Sequence, residues 1–152
     1  MPGKQALPPP DAARVALWAA FSELFLDTDI SADTHRFVAR RIIESGLPPE
    51  TVLQVLWLEV FPALCDNLRV VAGEWAGFND EWLSERVASI AAGEVNAYAP
   101  FALVTVNQVI KAIETQWELC AACLPASYRD LRRPSNQQIK RLGVIGRVTA
   151  RD

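Results

Sequence analysis

Apolar side chains recur along this chain at three- and four-residue steps, the spacing that stacks them on one face of an α-helix. No two stretches alternate as paired strands would. Leu17, Trp18, Phe21, Leu24 and Phe25 share one arc of a helix that begins behind Asp11 and runs to about Leu26. The acidic turn Asp27-Thr28-Asp29 follows. Ser31 or Asp33 caps a second helix, which carries Val38, Ala39, Ile42 and Ile43 on its apolar face and stops at Gly46, a favourable left-handed C′ residue. His35, the one histidine, projects into that same face, where a satisfied structural role is the commoner reading than a ligand or base.

The third helix differs from its neighbours. Leu47-Pro48-Pro49-Glu50 starts it, with proline in the first turn where a missing N–H does no harm. From Val52 to Phe61 it is apolar on nearly every side, as a central rod covered by other helices must be. Glu59 interrupts that rod among Val52, Val55 and Val60, so its carboxylate needs a partner, such as a tryptophan N–H or a backbone N–H, or a proton. Pro62 kinks or restarts the helix, which is expected to continue over 63–71. Gly73 and Gly77 then permit a sharp turn, from which Trp75 and Phe78 are expected to plug the core. A fourth helix opens at Asn79 and buries Trp82, Leu83, Val87 and Ile90.

A long helix is predicted near 101–124. Leu103, Val106, Val109, Ile110, Ile113, Trp117, Cys120 and Leu124 keep helical register throughout, over about 36 Å at a rise of 1.5 Å per residue. Residues 1–10, with three successive prolines, read as an extended arm. Beyond Pro125, Tyr128 and Leu131 can anchor one short turn, and Leu142 to Ile145 could dock on the body. The expected architecture is all-α: a single-domain bundle of five to six helices around 52–61, with a helical domain over 11–125 and a tail over 126–152.

Composition narrows the picture in two ways. At 152 residues with half of them hydrophobic, the chain can bury one good core. Its three cysteines cannot all pair, no apolar signal region follows Met1, and no apolar run is long enough to span a bilayer, so a reduced, cytoplasmic protein is expected. The net charge of −3 hides an asymmetry: residues 1–125 hold sixteen acids against eight bases, residues 126–152 two acids against seven bases. Such a basic tail can fold on its own body, reach another copy or meet an acidic partner. The acidic body repels nucleic acid, and the tail has one aromatic residue, Tyr128, and no reader motif, so nucleic-acid binding is not expected.

Two segments carry a resemblance. WAAFSELFLDTD from Trp18 to Asp29, and LEVFPALCDNLRVVAGEWAGFNDEWL from Leu58 to Leu83, resemble a family of small bacterial helical proteins classed as a domain of unknown function. The shared pattern falls on Trp18, Ala20, Ser22 to Thr28, then Glu59, Val60, Pro62, Leu64, Asn67 and Leu68, then Ala72 to Phe78. It covers the first half of the chain and leaves the long helix and tail outside. The resemblance implies an all-helical domain and lends no activity.

Candidate chemistry is sparse. Cys120 and Cys123 form a C-x-x-C, yet at a helix C-terminus, where the dipole disfavours thiolate. His35, Cys65, Cys120 and Cys123 match a zinc set in number but provide only one close ligand pair, so no metal and no cofactor is expected. No nucleophile elbow or phosphate-binding glycine loop is present, and the chain is not expected to be an enzyme. The expected function is protein binding: an acidic surface suits fast, steered capture of a basic partner, such as the toxin an immunity protein neutralises. Asp27, Asp29 and Asp33 at the first interhelical turn, with Glu74, Asp80, Glu81 and Glu85 after the glycine turn, are the candidate contacts. The alternatives are a homo-oligomeric scaffold dimerising through the long helix and tail, and a small enzyme or metal protein using Glu59 and His35.

Overall fold

The computed structural model describes residues 11–70, 73–94, 97–99 and 102–141. The proline-rich arm and the Leu142–Ile145 docking segment lie outside the described residues. Within them the chain is all-α: α1 (Ala12–Ser22), α2 (Ala32–Ser45), α3, α4 (Asp80–Ala91), α5 (Val106–Ala121) and α6 (Asn136–Arg141). The rod α3 is continuous but composite, with Pro49–Gln54 and Phe61–Leu64 α-helical and Val55–Val60 in the wider π geometry.

Local signals set most of the helix ends. The Asp11 carboxylate accepts from Ala13 N–H, Ser31 Oγ from Thr34 N–H, and Asn79 Oδ1 from Trp82 N–H, each satisfying a backbone donor that the first turn leaves unpaired. Gly46 closes α2 at φ +67°.

The rod is the centre of the core. Val52, Val55, Leu56, Trp57, Val60 and Phe61 are all fully buried. Phe61 meets the rings of Phe25, Trp57 and Tyr98 at centroid distances of 5.9, 5.5 and 6.3 Å. The π turn has a physical cause two residues on from its end. Pro62 has no N–H, and in α geometry its ring would clash with the carbonyl of Leu58. Widening the turn, so that Phe61 N–H bonds to Leu56 O, removes the conflict without breaking the rod. The extra residue also turns Glu59 away from the buried side to a part-buried position facing α1.

Two expectations fail here. The rod does not continue over 63–71: its last α segment ends at Leu64, and Cys65–Leu68 forms a 3₁₀ turn. The reason is polar. Arg69, 6 % exposed, donates to Asp66, to Ala99 O and to Val104 O, while Asp66 accepts from Ala99 N–H, so these side chains bind Ala99 and Val104 instead of prolonging a helix. The long helix does not span 101–124 either. Thr105 and Gln108 form a reciprocal capping box that starts α5 at Val106, shortening it to 16 residues, about 24 Å. Leu103, in register with the stripe, is therefore 76 % exposed.

The described part of the tail folds against its own body. Tyr128 and Ile139 are buried, Tyr98 Oη donates to Ile139 O at 2.9 Å, and Arg133 pairs with Glu114 at 2.8 Å while lying over the Trp57 ring. Among the described residues no helix is long and apolar enough to cross a membrane.

Candidate functional site

The loop between α3 and α4 is held by side-chain and backbone hydrogen bonds that tie residues 73 and 74 to Asn67 and Asp27. Asn67, on the 3₁₀ turn, uses its whole amide: Nδ2 donates to Phe25 O (2.8 Å) and Glu74 O (3.0 Å), and Oδ1 accepts from Glu74 N–H (2.7 Å). Asp27, just past α1, donates its own N–H to Glu74 O at 2.7 Å and accepts from Gly73 N–H at 3.1 Å. An asparagine side chain mimics a peptide group, so here it stands in for a neighbouring strand. Gly73 is obligatory at this point, because a Cβ there would lie 2.2 Å from the Asn67 carbonyl oxygen. Gly77, at φ +151°, makes the second bend.

Anchoring residues 73 and 74 in this way throws the next side chain outward. Trp75 is 68 % exposed, so it does not plug the core as expected. Phe78 is half-buried and stacks on Trp82, centroids 5.9 Å apart and planes within 14°. Trp82 is likewise not part of the buried stripe and is 45 % exposed. It lies about 100° around α4 from Leu83, and Leu83, Val87 and Ile90 alone face the core. The result is an aromatic patch standing on a hydrogen-bonded base. A shallow cavity of about 280 Å³ opens beside it, lined by Asn67, Glu74, Gly77, Phe78, Asn79 and Trp82. Phe78 and Asp80 also border a second cavity of about 310 Å³ that reaches Phe37, Arg41 and Glu23. Partial burial pushes the Glu23 carboxyl above its ordinary value.

All seven candidate acids are exposed. Asp27 and Glu74 come together in the anchored loop, joining the two sequence clusters at that point. Glu74 Oε2 also accepts from Ala76 N–H, fixing the carboxylate at the cavity wall. Asp80 and Glu81 occupy the first turn of α4, and Glu85 the next. Asp29 precedes α2 and Asp33 lies in its first turn, where it pairs with Arg36.

The residues proposed for catalysis or metal binding are otherwise engaged. Glu59 receives Arg14 Nε on both oxygens (3.0 and 2.9 Å) and Trp18 Nε1 at 2.7 Å. The hydrogen bond to Glu59 holds the Arg14 guanidinium above its ordinary pKa. His35 is buried, with Nε2 2.6 Å from Gln116 Oε1. Burial pushes the Cys65 thiol up, and pushes the Cys120 thiol to about 12, helped by the Cys123 charge, so neither is a nucleophile near neutral pH. Among the described residues no group of three or more histidine, cysteine or acidic side chains is placed to hold a metal ion. A further cavity of about 290 Å³ between α3 and α5 is lined in part by Trp57, Trp117, Arg129 and Arg133, whose guanidiniums already bond to Leu124 O and Glu114.

Sequence reasoning gave no structural role to Asn67, Arg14 or Arg69. Asn67 bonds to Glu74, seven residues on, and to Phe25, 42 residues back, both past the roughly two to four residues over which local side-chain bonding is legible. Arg14 and Arg69 find partners 45 and 35 residues away, beyond the reach of local pattern.

A family model described as a domain of unknown function, DUF7079, matches residues 12–123. The match runs beyond the segments that carry the resemblance and takes in α5, which the resemblance left outside. No curated protein and no solved structure matches the chain.

Proposed function

The chain belongs to the DUF7079 family, and from its loop face we propose that it is a non-catalytic protein-binding module that captures a basic partner. The observation that carries this reading is the exposed Trp75 and the stacked Phe78–Trp82 pair presented by a loop fixed by Asp27, Asn67 and Glu74, with Asp80 and Glu81 in the next helical turn. Interface centres favour tryptophan and tyrosine surrounded by a polar rim, and exposed aromatics on a rigid base lose little entropy on binding. The acidic rim supplies steering and selects positive partners. Glu59 and His35 argue against the enzyme reading, since both are satisfied by neighbouring side chains. A scaffold that dimerises through its tail is disfavoured by Arg133, which pairs within its own chain.

The biological setting follows as part of the same proposal: a bacterial, cytoplasmic immunity protein whose partner is a toxin domain. Expression of the product of the neighbouring gene is expected to harm cells lacking this protein and to be tolerated in its presence. Cells that tolerate the neighbour without it would rule out the toxin version. For the binding face itself, Trp82→Ala together with Glu81→Lys is expected to weaken the purified complex at least a hundredfold. Unchanged affinity would show that the partner docks elsewhere.

A further inference from the structure

The cavity beside the stacked Phe78–Trp82 pair has a chemistry narrower than that of a general acidic surface. None of the six residues lining it is basic. Its apolar wall is the pair of parallel rings, with Trp82 45 % exposed. Its charged wall is the Glu74 carboxylate, which Ala76 N–H fixes through Oε2, leaving Oε1 without a hydrogen-bond partner among the described residues. Asn67 cannot compete for a guest, because its amide is already occupied by Phe25 and Glu74. A planar cation that can lie on a ring face while its edge donates to a fixed carboxylate fits both walls. We propose that this cavity is an anchor site for an arginine side chain of the protein partner. This rests on the reading of the loop face as a protein-binding surface.

Arginine is favoured over lysine for a physical reason. The guanidinium is flat and weakly hydrated, so it stacks and keeps in-plane donors free for the carboxylate; an ammonium is strongly hydrated and matches neither wall as well. An acidic side chain would meet Glu74 and the nearby Asp80 with repulsion.

The test uses the full chain and blocked amino acids as probes, followed through the indole N–H resonances. Nα-acetylarginine amide is expected to shift the Trp82 resonance, assigned with Trp82→Phe, in a saturable manner while Trp18, Trp57 and Trp117 stay still. Nα-acetylcitrulline amide, the same shape without the charge, is expected to bind at least tenfold more weakly, and Nα-acetyllysine amide several-fold more weakly. Glu74→Gln keeps an acceptor for Ala76 N–H and removes the charge, so it is expected to bring arginine down to the citrulline level. Equal binding of arginine and citrulline, or no shift at Trp82 at any probe concentration, would overturn the proposal. Should Glu74→Gln alter the loop, seen as a moved Trp75 resonance in the free protein, Trp82→Leu replaces it, with binding followed through the backbone amides of residues 73–79; undiminished arginine binding then would be equally fatal. A purified partner that still requires this face after its contact arginines become lysine would sink the arginine anchor and leave the binding face standing. Saturable arginine binding with a partner indifferent to Trp82 would overturn the binding face and the partner anchor together, leaving a cavity that takes free arginine alone.

Discussion

Glu59 lies in the most apolar segment of the chain and is held there by two donors from α1, the Arg14 guanidinium and the Trp18 indole. Each of these groups would be poorly satisfied without the others, so removing the carboxylate leaves a cation and an N–H stranded at a part-buried site. Breaking such a pair from one side costs about 3–5 kcal/mol when fully buried; with Glu59 21 % exposed, Glu59→Ala is expected to cost roughly 2–3 kcal/mol. Glu59→Gln, which keeps an acceptor for Trp18, should cost clearly less. Urea unfolding followed by tryptophan fluorescence measures both, and equal losses would show that packing matters there rather than the donors. The cysteines give a second expectation at this scale. Cys65 and Cys120 are buried with raised thiol pKa values, while Cys123 is exposed. Native alkylation at pH 8 should therefore modify one thiol per chain, at Cys123, whereas unfolded protein should react at all three.

At the scale of elements, what was legible depended on whether the cause was local. Asp11, Ser31, Gly46 and Asn79 act at the helix ends where their residue types place them. The start of α5 was misread although its cause was also local. Leu103 continues the apolar spacing, but Thr105 and Gln108 satisfy the first-turn donors and stop the helix behind it. The π segment could be read as a disturbance at Pro62 but not as a geometry, because a kink and a widened turn both relieve the same clash. The loop was misread for a different reason. Apolar character alone sent Trp75 and Trp82 inward, whereas the Asn67 and Asp27 bonds fix the backbone so that Trp75 projects to solvent. Those bonds make a prediction. Asn67→Ala removes three hydrogen bonds, each worth about 1 kcal/mol, and Gly73→Ala forces a Cβ onto the Asn67 carbonyl. Either change should destabilise the fold by about 2–3 kcal/mol and raise amide exchange over residues 73–79, leaving α5 protected. Unchanged exchange in the loop would mean that the bonds do not set its conformation.

At the scale of the whole molecule, the bundle follows from one nonpolar rod that other helices must cover, and this much the hydrophobic pattern announced. Charge organisation was only half legible. An acidic body and a basic tail can be counted, yet the direction in which the tail folds depends on Arg133 finding Glu114 and the Trp57 ring, a tertiary pairing without a sequence signature. That pairing returns part of the tail's charge to the body and leaves the loop face acidic and aromatic. The most direct test of a binding face there is hydrogen exchange of the full chain, free and saturated with its purified partner. The account predicts new protection concentrated in residues 73–85 and at the Asp27–Asp33 turn, weakening as salt is raised, with α5 and α6 unchanged. Protection centred on α5 or α6, with the loop still exchanging freely, would contradict it.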